Sequence, residues 1–183
     1  LHYAAAAGQI DAVKALVKGG AEVDMPNSYN DTPLHKAAAG CRSEVARYLM
    51  DAGAQPEARN KHGETPLHQA AVCEDPQIVR MLVERGVSLN TTTKRGQTAL
   101  HRAAENNILP VARTLVLAGV ATACLPNTET ALHLAARRGY RDIVQLFIQN
   151  GANPNVPDER DKTPLHFSAN EGQTEVLRML LEA

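Results

Sequence analysis

Thr65-Pro66-Leu67-His68-Gln69-Ala70-Ala71 is the stretch on which the reading of this chain turns. Thr is a good helix N-cap, because its hydroxyl accepts a bond from an orphan N–H of the first turn. Pro is tolerated at the first helical position, where that N–H is unpaired anyway. The two alanines favour helix and let a neighbouring backbone come close. The same phrase recurs as Thr32-Pro33-Leu34-His35-Lys36-Ala37, Thr98-Ala99-Leu100-His101-Arg102-Ala103, Thr130-Ala131-Leu132-His133-Leu134-Ala135 and Thr163-Pro164-Leu165-His166-Phe167-Ser168. With Leu1-His2 as the first, the Leu-His pairs step by 33, 33, 33, 32 and 33 residues and hold six of the seven histidines. Each copy opens a short helix.

A second helix follows in every copy, with an apolar stripe at i, i+1, i+4 and i+5. It reads Val45, Ala46, Leu49, Met50; then Ile78, Val79, Leu82, Val83; then Val111, Ala112, Leu115, Val116; then Ile143, Val144, Phe147, Ile148. Pro76 and Pro110 fall near the start of this helix, where Pro is acceptable. Gly20, Gly53, Gly86, Gly119 and Gly151 end it, in the same phase. A polar segment with turn formers such as Asn60-Lys61-His62-Gly63 leads to the next Thr and reads as a hairpin-like turn.

Helix, helix and turn at this period, with Thr-Pro-Leu-His-x-Ala, resembles the ankyrin repeat family. The expected fold is all-α: a solenoid of stacked helix-turn-helix units joined by hairpin-like turns. It forms a single domain over 1–183 with six repeats, at about 1–31, 32–64, 65–97, 98–129, 130–162 and 163–183. Ala12, Val13, Leu177 and Leu181 do not look like the polar outer faces of terminal repeats, so a fragment of a longer protein is expected. Some positions depart from the pattern. Glu74, Asn107 and Cys41 stand where Gly8, Gly139 and Gly172 close the first helix, and the turn before Thr130 is one residue short.

The chain has 183 residues and a net charge of −1, which argues against bulk attraction to nucleic acid or an anionic membrane. No apolar run is long enough to span a bilayer, so no direct membrane insertion is expected. Trp is absent and there are two Phe, so the core must be built from Leu, Val, Ile and Ala. Cys41, Cys73 and Cys124 are an odd count without a C-x-x-C pair, which suits a reducing compartment better than a disulfide framework. They read as plain or weakly redox-sensitive thiols, and the expected location is intracellular, in cytoplasm or nucleus.

Catalytic chemistry finds no constellation. There is no phosphate loop, no G-x-S-x-G and no H-E-x-x-H. Copies of the histidine one repeat apart should lie roughly 10 Å from each other, the spacing of packed helices, too far to share one metal. The resemblance implies instead a structural His bonded to nearby backbone and Thr hydroxyls. No catalytic residue, metal or cofactor is expected.

The resemblance also implies that partners meet the turn tips and first helices, which line a concave face. Carried over residue by residue, that selects Tyr29 and Asp31; Arg59, Lys61, His62 and Glu64; Lys94, Arg95 and Gln97; Asn127; and Arg160 and Lys162. First-helix ends add Val72, Glu105, Asn106, Arg137 and Arg138. The middle turns are locally basic, which favours an acidic or phosphorylated peptide, set against an ordinary mixed-charge surface. Asn90 and Asn155 occupy the turn position at which family members can be hydroxylated by an oxygenase; a turn-forming Asn is the simpler reading. The expected function is a protein-interaction module, monomeric as a fragment, that binds a protein or peptide. The alternative is a regulatory or targeting segment of a larger enzyme or channel whose catalytic part lies outside this chain.

Overall fold

A computed structural model describes residues 1–121 and 129–183. Among them are twelve α-helices and no strand. They fall into pairs: α1 (His2–Ala7) and α2 (Ile10–Lys18), α3 (Pro33–Ala39) and α4 (Ser43–Asp51), α5 (Pro66–Ala70) and α6 (Gln77–Glu84). Then come α7 (Ala99–Glu105) and α8 (Leu109–Leu117), α9 (Ala131–Arg138) and α10 (Arg141–Gln149), α11 (Pro164–Asn170) and α12 (Thr174–Leu181). The chain is an all-α repeat solenoid. Its contacts divide it into two compact units, Leu1–Ala99 and Leu100–Ala183.

In the first unit α1 packs on α3 and α3 on α5, while α2 packs on α4 and α4 on α6. First helices thus form one layer and second helices the other. Leu34, Leu49, Leu67, Ile78 and Leu82 fill the space between and are fully buried. Ala37, Ala38, Ala70 and Ala71 are sealed as well, and their small size lets the first helices approach closely. The approach is closest at Gly40, where an added Cβ would lie 2.6 Å from the Ala6 carbonyl oxygen. In the second unit α9 packs on α11, and α10 on both α8 and α12. Leu100, Leu115, Leu132, Ile143 and Phe147 are its largest fully buried apolar side chains among the described residues.

The apolar stripe is fully buried in the second and fourth pairs, while Val83 of the third and Ile148 of the fifth are half-buried. Leu16 of α2 and Leu181 of α12 remain exposed, although they occupy stripe positions. After each of the first five second helices the chain reverses through a left-handed residue, as at Gly53 with φ of 95°, where only glycine is free of strain. The first helices end in the same geometry at Gly8 and Gly139. Cys41 and Asn107 keep it with φ of 56° and 58° despite carrying a Cβ.

Glu74 does not, and the third pair is irregular. There α5 stops at Ala70, and α6 starts only at Gln77 with Pro76 as its N-cap. Pro76 also disfavours helical backbone at Asp75.

The cysteine reading needs correction. Cys41 and Cys73 are joined as a disulfide between the second and third pairs, with Cα atoms 5.6 Å apart. Stacking brings two first-helix ends together although 32 residues separate them in sequence. Cys124 lies outside the described residues.

Candidate functional site

The recurrent histidine is a structural clamp. In the second pair His35 Nδ1 accepts from the Thr32 N–H at 3.1 Å and lies 2.9 Å from the Thr32 hydroxyl, while the His35 amide donates back to Thr32 Oγ1. With Nδ1 accepting, the proton sits on Nε2, which donates to the Glu64 carbonyl at 3.1 Å. His68 reaches the Gln97 carbonyl in the same way. In the second unit His101 reaches that of Glu129 and His133 that of Lys162. Each acceptor immediately precedes the Thr of the following copy. One side chain therefore caps its own helix and holds the incoming turn.

Burial disfavours the imidazolium at His35 and His133 and pushes both pKa values below the ordinary 6.5, against the pull of the carbonyls of Glu64 and Lys162. The unfolded chain takes up these protons near 6.5 and the folded chain only at lower pH. Their contribution to stability is then complete above about pH 6.5 and declines as pH falls below it toward the folded pKa. Urea midpoints should be lower at about pH 5 than at about pH 7.5, and His35→Gln with His133→Gln should flatten that slope. An unchanged slope in the double variant would remove these imidazoles from the account.

The turn tips are organised by another periodic side chain, which sequence reading did not single out. Asn27 Oδ1 accepts from the amides of Tyr29 and Asp31 at 2.8 and 2.9 Å. Asn60 Oδ1 does the same for His62 and Glu64, and Thr93 Oγ1 for Arg95 and Gln97. In the second unit Asp158 Oδ1 holds the amides of Arg160 and Lys162, both at 2.8 Å. Burial works to raise the Asp158 pKa, but these two amides outweigh it and the value falls below 3.8. The steps from Asn27 to Asn60 to Thr93 are 33 residues each, so the signal was legible as a second register of acceptors.

In the first unit, neighbouring tips are bonded directly. The Lys61 amide donates to the Tyr29 carbonyl and the Lys94 amide to that of His62, each at 2.9 Å. Arg59 Nη2 donates to the Thr92 carbonyl at 2.6 Å. From this ladder Tyr29 (60% exposed), Arg59, Lys61, His62, Lys94 and Arg95 project outward. Glu64, Val72 and Gln97 are half-buried beside them. Asp31 is a correction: it is only 7% exposed and its carboxylate is used internally. One oxygen lies 2.8 Å from Lys36 Nζ and the other accepts from Asn60 Nδ2 at 2.9 Å. Burial works to raise its pKa, and these two partners bring it below 3.8.

The second unit mixes charges. Arg137 Nη1 lies 2.8 Å from Glu129 Oε1, a buried oxygen with no well-angled hydrogen-bond donor. Burial raises the Glu129 pKa against the pull of Arg137. The Arg137 guanidinium also stands 5.7 Å from the centre of the Phe167 ring, whose plane meets the His133 ring edge-on at 5.5 Å. Glu129, Arg137, Asp158, Glu159, Arg160, Lys162 and Phe167 line a cavity of about 390 Å³. Arg138, Arg160, Lys162 and Asn106 are exposed and Glu105 is half-buried. The basic character of the first unit's tips is therefore not repeated here as an unbroken stripe. Asn127 lies outside the described residues. Asn90 and Asn155 are exposed in turns, the latter with its amide bonded to Asn153 Oδ1. Among the described residues no three His, Cys, Asp or Glu side chains converge as a metal would require, and no helix is long and apolar enough to cross a membrane.

Paired helices, left-handed reversals and a His clamp repeated in register define a class of stacked repeat proteins. The chain belongs to the ankyrin repeat family, whose family model matches residues 1–60, 56–122 and 117–183 in three copies. Among solved structures, an ankyrin repeat domain from Acinetobacter baumannii AYE is similar over 99% of this chain and 95% of its own, with TM-score 0.86 and 32% identity. The ankyrin repeat domain of Bcl-3, a member of the IkappaB protein family, matches over 99% of this chain and 84% of its own, with TM-score 0.85 and 29% identity. Mouse protein phosphatase 1 regulatory subunit 12A is 43% identical over 53 residues, which are 29% of this chain and 5% of that much longer protein. As an ankyrin repeat protein, the chain has the build of a module that binds other proteins.

Proposed function

We propose that the chain binds a protein or peptide across its turn tips and first helices, and that the basic tips of the first unit favour an acidic or phosphorylated segment. The observation that carries this is the bonded row of tips. Backbone bonds from Lys61 to Tyr29 and from Lys94 to His62 fix the tips, so their side chains meet a partner with little ordering cost. Tyr29 supplies an amphipathic anchor of the kind that dominates interfaces. Lys61, Lys94 and Arg95 supply exposed positive charge that no ion pair within the described residues neutralises. On family likeness we read the chain as a non-catalytic monomeric module that works without cofactor or nucleic acid. We place it in the cell interior, cytoplasmic or nuclear, on family likeness; the disulfide withdraws the support that the cysteine count lent to this.

Reversing Lys94 and Arg95 to Glu should weaken an acidic partner by about tenfold and flatten the salt dependence, since exposed interfacial charge acts chiefly through steering and screening. Titration of the captured partner at low and high salt measures both. Unchanged affinity and slope would exclude the basic tips.

A second reading has a specific support. The phosphatase relative is by name a regulatory subunit, and this chain matches only 5% of it. A regulatory segment within a larger enzyme or channel would use the same surface in cis.

A further inference from the structure

We propose that Cys41 and Cys73, brought together at the ends of α3 and α5, form a reversible thiol–disulfide site that locks the second and third repeats to each other. This holds whether or not a partner binds the tips. Their Cα separation of 5.6 Å lies in the ordinary range for bridging, so closure asks no backbone movement. The two residues differ in access: Cys41 is exposed, whereas Cys73 is 1% exposed. The inner sulfur lies 3.3 Å from the Ala38 carbonyl oxygen. When reduced, the Cys73 thiol therefore has an acceptor in place.

Two other joints carry a polar tie in this register. Between the first and second pairs, Arg42 Nε donates to the Ala6 carbonyl at 3.0 Å. Between the fifth and sixth, Gln173 Nε2 donates to that of Arg137 at 3.4 Å. The third pair carries Asp75 in this register, and an ionised carboxylate cannot donate to a carbonyl. Asp75 instead accepts from the Gln77 amide at 3.0 Å. The same joint has the shortened α5 and the broken approach to α6, so fewer helical bonds restrain it. At this joint the tie is covalent, one residue from Val72 on the surface proposed for binding. Opening it changes how firmly two adjacent repeats are registered and leaves both helix pairs intact.

The chemistry needs a low-molecular-weight disulfide such as oxidised glutathione. The exposed Cys41 thiolate attacks one sulfur, forms a mixed disulfide and expels one thiolate. Cys73, deprotonated as the joint opens, attacks Cys41 Sγ and expels the second thiolate. Two protein thiols are oxidised, one small disulfide is reduced to two thiols, and the protons pass to the thiolates released. Two equivalents of the small thiol reverse the sequence.

The test equilibrates the whole chain in buffers of graded reduced and oxidised glutathione, quenches by alkylation and maps peptides by mass spectrometry. Hydrogen exchange is followed across 66–80 at both extremes. Expected is a Cys41–Cys73 linked peptide that grows with the oxidised fraction while Cys124 stays alkylated, with joint amides exchanging about tenfold slower when oxidised. The exposed-site variant Cys41→Ser should keep the helical circular dichroism of the parent and lose the redox dependence. Three results would overturn the proposal. These are no linked peptide in the most oxidised buffer, a linked peptide undiminished at a reducing cytosolic poise, or equal exchange in both states.

Discussion

Phe147→Ala is expected to lower the stability of the second unit by about 3–5 kcal/mol, the range for emptying a buried aromatic site. Phe147 is one of two phenylalanines in the chain, lies in α10 and is 1% exposed. That helix packs on α8, α9 and α12, so the void would open where three neighbours meet and no single one can collapse into it. In a stacked array, loss at one interface need not spread evenly. A separate early transition for residues 100–183 in hydrogen exchange is therefore the expected signature, with a denaturation curve that is not two-state. Leu117, by contrast, is 74% exposed on α8, and Leu117→Ala should change stability by less than about 0.5 kcal/mol. A Phe147→Ala loss no larger than that of Leu117→Ala would mean that α10 is not seated as described.

The second large effect is expected at His133. Its replacement by Ala removes the acceptor for the Thr130 N–H and hydroxyl and the donor to the Lys162 carbonyl. The edge contact with the Phe167 ring goes as well. Each buried polar group left without a partner costs about 1–3 kcal/mol, so a total of about 2–4 kcal/mol is expected once relaxation and water are allowed for. The control lies in the same motif. His166 makes the same bonds to Thr163, but in an exposed setting where water replaces them. His166→Ala should cost under about 1 kcal/mol. Equal losses at the two positions, read from urea midpoints, would show that the clamp works by helix propensity and not by buried bonding.

The contrast shows how far the sequence carries. Thr130-Ala131-Leu132-His133 and Thr163-Pro164-Leu165-His166 are equivalent as text. Helix, cap and phase follow from either, because these depend on neighbours in the chain. Burial depends on what stacks on top, and it separates the two histidines. The stripe positions Leu16 and Leu181 behave alike for the same reason. Asp31 was misjudged as a surface residue because its partner Asn60 lies 29 residues away, on the next tip. The tip organisers Asn27, Asn60, Thr93 and Asp158 were missed since the eye follows invariant letters. An acceptor written as Asn, Asn, Thr and Asp is invariant only in function.

The disulfide had a signal that went unused. Spacing of one repeat places equivalent positions side by side in a stack, and that argument was applied to the histidines to dismiss a shared metal. Cys41 and Cys73 are offset from one repeat by a single residue, just past the ends of two neighbouring first helices, where Cys73 Sγ lies 3.3 Å from the Ala38 carbonyl oxygen. Composition alone pointed the other way, because an odd cysteine count says nothing about which two of three meet.

The central claim is that the bonded row of turn tips binds a protein partner. The most direct measurement is affinity capture with the folded chain as bait, beside a Lys94→Glu, Arg95→Glu bait of equal stability, followed by crosslinking to locate the contact. The account predicts a saturable partner crosslinked at residues 59–64 and 92–97 and lost from the reversed bait. A partner held equally by both baits, or crosslinked only to the outer faces of the second helices, would contradict it.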